Sequence, residues 1–275
     1  MTTNVLSHGT VQGSINRAQA GQLEQYTLWQ ILGIWASVAL PMALLGWVVA
    51  PAIIPYSPLH PGITYWLVII TGMGWETIVS LVILYQELGT LRWSAIRQRI
   101  WLQTPLDPKT GRPNPRLLWW ALLGVLFSFG LVGDLIGNYL DAPMGWLFPA
   151  LQPAPYMDIS KLASPAFKGQ WWLLGVTLIA LLLNYFLGEE LIFRGILLPK
   201  MQGVFGKYDW VANAVLFGLY HLHKPWIILS TIIGGLAMTW PTRRFRSYWM
   251  AVIVHGIEGY FVVLVLAVIL GVLPR

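Results

Sequence analysis

Runs of about twenty apolar residues, separated by short polar segments, set the pattern of this chain. A helix rises about 1.5 Å per residue, so such a run crosses the ~30 Å of hydrocarbon in a bilayer. Long runs lie at 28–54, 63–85, 117–139, 171–188 and 248–273. Two shorter ones, 210–222 and 226–240, are separated by a few residues and predict a tight helical hairpin. Pro41 marks a kink in the first run, because proline removes a backbone donor inside a helix. Behind the fourth run, 189–204 stays apolar but carries charge, and reads as the same helix continuing to the interface. The fold class is therefore all-α: a polytopic membrane helical bundle of about seven transmembrane helices.

Composition supports lipid as the solvent. The 275 residues are 56% hydrophobic and only 10% charged, with a mean hydropathy of +0.63. An ordinary soluble chain is about a quarter charged, and this one could not cover its own surface in water. The absence of cysteine excludes disulfides, thiolate nucleophiles and Cys-ligated zinc. The net charge of +6 points to topology rather than to a nucleic-acid partner, since the basic residues sit in short loops. Many of the sixteen tryptophans, among them Trp119, Trp120, Trp171, Trp172, Trp240 and Trp249, stand at span ends, where indole favours the interface.

The loops give an orientation. Arg92, Arg97, Arg99, Lys109, Arg112 and Arg116 lie between the second and third spans, and Arg243, Arg244 and Arg246 between the sixth and seventh. A seven-span arrangement puts both loops on one side with the N-terminus, Lys200 and Lys207, leaving Lys161, Lys168, Lys224 and Arg275 opposite. The positive-inside rule then makes the N-terminus cytoplasmic and the C-terminus not. The polar first segment lacks the pattern of a cleaved signal peptide. Four regions follow: a cytoplasmic N-terminal segment (1–26), N-terminal spans (27–140), a proline-rich non-cytoplasmic loop (141–170) and a C-terminal membrane domain (171–275). The loop 102–115 reads as irregular. Pro143, Pro149, Pro153, Pro155 and Pro165 forbid regular helix throughout 141–170, which reads as a cap on the non-cytoplasmic face.

Ionisable residues at membrane depth are costly and mark function by default. In Gly188-Glu189-Glu190-Leu191-Ile192-Phe193-Arg194, Glu190 and Arg194 are four apart and can pair on a helix. Glu189 is then turned ~100° away, unpaired and suited to act as a general base. His221 lies in Phe217-Gly218-Leu219-Tyr220-His221-Leu222-His223, with His223 placed for an interfacial role. His255 and Glu258 share a face of the last span. Glu76, Asp134 and Asn138 read as helix–helix polar contacts. A carboxylate and two imidazoles from three helices are the parts of a water-activating site: Glu189 as base, His221 holding the water, His255 facing the oxyanion. Glu189, His221 and His255 also offer ligands for a divalent metal such as zinc. Sequence does not separate metal-bound from glutamate-activated water. No His-Glu-x-x-His helix is present.

Glu189-Glu190-x-x-x-Arg194, then Phe217-x-x-x-His221, then His255 in a late apolar helix resembles the CPBP (Abi, CAAX-protease and bacteriocin-processing) family, which includes endopeptidases that trim prenylated CAAX proteins. The resemblance covers roughly 171–272. It implies an all-helical membrane fold with a cavity open to the cytoplasmic leaflet. It further implies that Glu189 and His221 activate water, that His255 binds the oxyanion, and that Arg194 organises the cluster through Glu190. The family's last motif usually reads His-x-x-x-Asn or Asp; Gly259 stands at that position here. Loss of one oxyanion donor can cost about 10²–10³ in rate.

Two functions of different class follow. One is an intramembrane endopeptidase acting on peptides or membrane-associated proteins. The other is a proteolytically inactive relative serving as a subunit or scaffold beside an integral membrane partner, with a variant in which His221, His223 or His255 is an axial ligand to haem or a chlorophyll-type pigment. A proton-relaying transporter ranks third, because the chain shows no repeated halves. The expected partners are membrane lipids and a peptide or membrane-protein substrate, with no nucleic acid.

Overall fold

Hydrocarbon offers backbone groups no water, so a chain this apolar must satisfy its amides within helices. It does so in a computed structural model that describes residues 24–147, 149, 152–158 and 162–272. No strand occurs among the described residues, where pairing is limited to an isolated bridge between Leu106 and Pro113. Of the first segment, only 24–26 are described, and Lys161 and Arg275 lie outside the described residues.

Helix α1 (Leu28–Tyr56) opens on a capping box, in which Thr27 Oγ1 accepts from Gln30 N and Gln30 Oε1 accepts from Thr27 N. Pro41 sits inside it, and a π-helical turn, Leu45–Val49, follows. Helix α2 (Pro61–Leu88) starts with proline and stops at Gly89, whose φ of 65° is the left-handed conformation that ends helices. Helix α3 (Trp93–Arg99) is a short element of the Arg-rich loop. The third span, α4, runs over 115–147, π-helical at Leu126–Ile136 and α-helical again at Gly137–Leu147, with Pro143 inside. Helix therefore extends further into the proline-rich region than the sequence suggests, and two 3-10 turns, Pro155–Met157 and Pro165–Phe167, follow. Helices α5 (Trp172–Lys200), α6 (Asp209–Tyr220), α7 (Ile228–Phe245) and α8 (Trp249–Leu270) complete the bundle.

Five of these, α1, α2, the Pro115–Gly133 part of α4, α5 and α8, are long and apolar enough to cross a membrane. The expected fifth and sixth spans differ from the rest. Helix α6 has 12 residues, about 18 Å at 1.5 Å each, which covers little more than half of the hydrocarbon. It reaches the bundle interior, turns through 3-10 segments at His221–His223 and Pro225–Ile227, and returns as α7. The all-α membrane bundle stands, with five helices long and apolar enough to cross and the expected short hairpin formed by α6 and α7.

Both Arg-rich loops meet at one end. Leu106 N donates to Phe245 O at 2.8 Å, Tyr248 N to Trp101 O at 2.8 Å and Ser247 Oγ to Gln103 O at 2.6 Å. Tyr26 N reaches Lys200 O at the same end. Helix α5 occupies the interior, with Ile192, Phe193, Ile196 and Leu197 fully buried. Leu40, Leu44, Ile78, Val82, Leu126 and Leu135 instead lie exposed on α1, α2 and α4, as lipid-facing positions should.

Candidate active site in a broken central helix

Helix α5 does not hold a regular hydrogen-bond ladder where its charges lie. It is π-helical at Leu183–Leu187, is interrupted at Gly188, and is π-helical again at Leu191–Leu197. A Cβ at Gly188 would fall 2.5 Å from Leu183 O, 3.1 Å from a Glu76 carboxylate oxygen and 3.2 Å from Met73 O. Only glycine lets α2 and α5 approach so closely. Neighbouring helices take up carbonyls of the irregular stretch, as apolar surroundings require. Tyr248 Oη donates to Phe186 O at 2.6 Å, Thr77 Oγ1 to Leu187 O at 3.1 Å and Asn213 Nδ2 to Phe193 O at 2.8 Å. Arg99 Nη1 and Nη2 donate to Gly195 O and Ile196 O at 3.1 and 3.2 Å. The break presents Glu189 and Glu190 to the interior.

The two carboxylates have different environments. Glu190 and Arg194 are both 0% exposed, and Arg194 Nη1 donates to Glu190 Oε1 at 3.1 Å. The same oxygen takes His255 Nδ1 at 2.9 Å. An ionised carboxylate can only accept, so the proton of this contact sits on Nδ1 and Nε2 is directed elsewhere, 4.0 Å from Glu258 Oε1. Arg194 also lies over the ring of Phe217, its Cζ 3.9 Å from the centroid. Phe217 is the common neighbour of the site: its ring stands 5.1 Å from that of His221 and 6.1 Å from that of His255.

Glu189 is also buried but takes part in none of these ion pairs. With the amide of Asn184 assigned so that its nitrogen faces the carboxylate, Nδ2 lies 3.0 and 3.3 Å from the two oxygens of Glu189. Among the described residues Glu189 hydrogen-bonds neither histidine; Glu189 and His255 lie close enough for their charges to interact. His221 Nδ1 lies 2.9 Å from Phe217 O. A carbonyl can only accept, so this nitrogen bears the proton and Nε2 keeps a free lone pair. The site thus gathers Glu189, Glu190, Arg194, His221 and His255 around Phe217 and Tyr220.

His223 departs from expectation. It is buried rather than interfacial, stacked 5.6 Å from His221 and packed on α1. A Cβ at Gly46 would fall 2.9 Å from that of His223, so glycine makes this contact possible. The cause is the hairpin turn, which ends inside the bundle and not at its surface. Glu76 is fully buried, and Tyr220 donates to its Oε1. It is a helix–helix contact as expected, and among the described residues it joins α2 to α6. Asn138 is exposed, and the side chain of Asp134 lies outside those described.

Among the described residues no group of three or more His, Asp or Glu side chains is disposed to hold a metal ion. On that placement the residues present do not gather as a metal centre, and no step is routed through one.

Beside the cluster lies a cavity of about 700 Å³ between α2, α4, α5 and α8. Asn184, Tyr185, Lys224 and Glu258 line it next to the site; Trp66, Leu173 and Val268 line it towards the opposite end, where Tyr156 and Leu162 also border it. Its lining runs from the site towards the end opposite the Arg-rich loops. Tyr185 connects it to the site, its ring 4.7 Å from His255 and its hydroxyl donating to Glu258 Oε2 at 2.9 Å. Nothing lies within 4 Å of where a Cβ of Gly259 would be.

Sequence reading did not single out Asn184, Tyr185, Tyr220 or Tyr248. Each is a polar side chain in or at the end of an apolar run, and that was the available signal; aromatic residues are too common in these spans for it to stand out.

Residues 170–272 match the family model described as Type II CAAX prenyl endopeptidase Rce1-like, in agreement with the three motifs. No curated protein and no solved structure matches the chain.

Proposed function

Proceeding from an Rce1-like C-terminal segment, we propose that this protein is an intramembrane endopeptidase that hydrolyses peptide bonds with water activated by Glu189. The observation that carries this reading is the division between adjacent carboxylates. Glu190 is fixed by Arg194 and His255, while Glu189 faces the uncharged amide of Asn184. A carboxylate free of an ion pair keeps its lone pairs for a proton, as a general base must.

In this mechanism a water lies between Glu189 and Nε2 of His221. Glu189 takes its proton as the oxygen attacks the scissile carbonyl. The developing oxyanion faces Nε2 of His255, which can donate there when the ring is cationic; the Glu190 carboxylate on Nδ1 stabilises that charge. The leaving nitrogen then receives the proton. The substrate is a peptide or a segment of a membrane protein in contact with lipid, entering through the cavity beside Tyr185. The charge distribution supports a cytoplasmic N-terminus and Arg-rich end, with the cavity directed to the other leaflet.

The full chain reconstituted in liposomes and offered a peptide library tests this against Glu189→Ala and His221→Ala. Cleavage by the parent alone is expected; equal cleavage by all three disposes of the reading. The open space beside Gly259 favours a second one, a proteolytically silent subunit of a membrane complex. Isolation in mild detergent with a stoichiometric partner, and no cleavage, is its signature.

A further inference from the structure

The two Arg-rich loops are joined into one surface. Arg244 and Arg246 flank Phe245, the last residue of α7. Phe245 O accepts from Leu106 N at 2.8 Å, and its ring stands 6.2 Å from that of Trp120. Leu106 pairs with Pro113, which lies between Arg112 and Arg116 in the chain. Gln103 Nε2 donates to Arg246 O at 3.0 Å. These contacts bring Arg112, Arg116, Arg244 and Arg246 together from two distant stretches of sequence. All four are exposed, and none forms an ion pair among the described residues. Three acidic groups at the same end are committed elsewhere. Asp107 accepts from the backbone of Lys109 and Thr110, Asp209 pairs with Arg243, and Glu87 pairs with Arg99 and Lys200.

Arg246 is held under strain. Its φ of 46° and ψ of 49° are the left-handed conformation in which helices usually end on glycine. A Cβ makes that conformation unfavourable. The side chain is exposed and forms no ion pair or hydrogen bond with the described residues. Glycine would relieve the strain without loss of a contact, so the arginine serves something outside the chain.

The indoles beside it identify the surroundings. Trp119 and Trp120, just after Arg116, are 70% and 44% exposed, and Trp249 at the start of α8 is 39% exposed. Exposed indoles at the ends of apolar helices lie at the level of the lipid headgroups. The four arginines therefore stand at phosphate height, and a planar guanidinium matches a phosphate with two parallel hydrogen bonds. An acidic phospholipid carries no cation of its own to offset that attraction, whereas a zwitterionic one does.

We propose that Arg112, Arg116, Arg244 and Arg246 form a binding surface for the headgroup phosphates of acidic phospholipids. The surface lies apart from Glu189 and its neighbours, and it does not depend on peptide hydrolysis.

Native mass spectrometry of the full chain in detergent tests this, with dioleoyl phosphatidylglycerol and dioleoyl phosphatidylcholine as probes. Inorganic phosphate and soluble polyglutamate serve as competitors. The parent should bind phosphatidylglycerol at least about ten-fold more tightly than phosphatidylcholine, and neither soluble anion should displace it at matched charge. Joint replacement Arg112→Gln, Arg116→Gln, Arg244→Gln and Arg246→Gln should lower the preference at least about ten-fold. Arg246→Gly alone should lower it about five-fold while raising the thermal midpoint, a combination that a structural role would not give. Equal binding of the two lipids, or displacement by either soluble anion, overturns the proposal. So does a preference that survives the quadruple variant, or one that Arg246→Gly either leaves intact or lowers only together with the midpoint. If the quadruple variant does not fold, Arg246→Gly decides.

Discussion

Arg194 and His255 meet at one oxygen of Glu190, Nη1 at 3.1 Å and Nδ1 at 2.9 Å. Two residues 61 positions apart in the chain, 194 and 255, are thereby held to the same atom. The contact fixes the histidine tautomer and neutralises an arginine that is 0% exposed. Glu190 is thus a structural centre as well as a chemical one, and its neighbour is not.

That difference separates the effects of two adjacent substitutions. Glu190→Ala strands a buried arginine and should destabilise the protein by about 3–5 kcal/mol, with activity lost as a consequence. Glu189→Ala should cost less than about 1 kcal/mol while reducing cleavage by at least about 10²-fold. Thermal unfolding in detergent alongside turnover measures both.

Gly188→Ala places a methyl carbon 2.5 Å from Leu183 O and 3.1 Å from Glu76. Helices α2 and α5 must separate, at about 1–3 kcal/mol as for other overpacked interiors. Cleavage should fall although no charged group has changed, and the paired melting and turnover data test that.

Arg99 ties the short helix α3 to the central helix. It donates to Glu87 Oε2 at 2.7 Å and to Gly195 O and Ile196 O, one turn from the site. Lys200 Nζ and Tyr26 also bond Glu87, and burial pushes the Tyr26 phenol up from its ordinary value. Arg99→Ala leaves Glu87 and two carbonyls short of partners and should cost about 3–5 kcal/mol. Arg99→Lys should recover only part, because one ammonium cannot replace a planar fork. Denaturation midpoints give the order.

Cleavage should be indifferent to chelators. Since Glu189, His221 and His255 form no metal-binding group, EDTA and 1,10-phenanthroline should leave cleavage unchanged; inhibition reversed by zinc would restore the metal reading.

The parts of this site differ in how far the sequence reveals them. Glu190 and Arg194 were legible because a four-residue spacing fixes their relation whatever else the chain does. The relation survives even though the surrounding turns are π-helical. Glu76 was visible as a charge in an apolar run, but its partner Tyr220 lies 144 positions away, and no local pattern selects it. The apolar run 210–222 gives length and not depth. A crossing helix and one that turns back inside the bundle look alike, which is why His223 reads as interfacial and proves buried against Gly46. The direction of the cavity depends on how four helices splay, a property of packing that leaves no mark on any one segment.

The most direct measurement follows a single turnover of a peptide substrate in water labelled with oxygen-18. If Glu189 acts as a general base, the label appears in the new C-terminal carboxylate of the product and none enters the protein. Label recovered in the Glu189 side chain would mean that the carboxylate itself attacks, and would contradict the account.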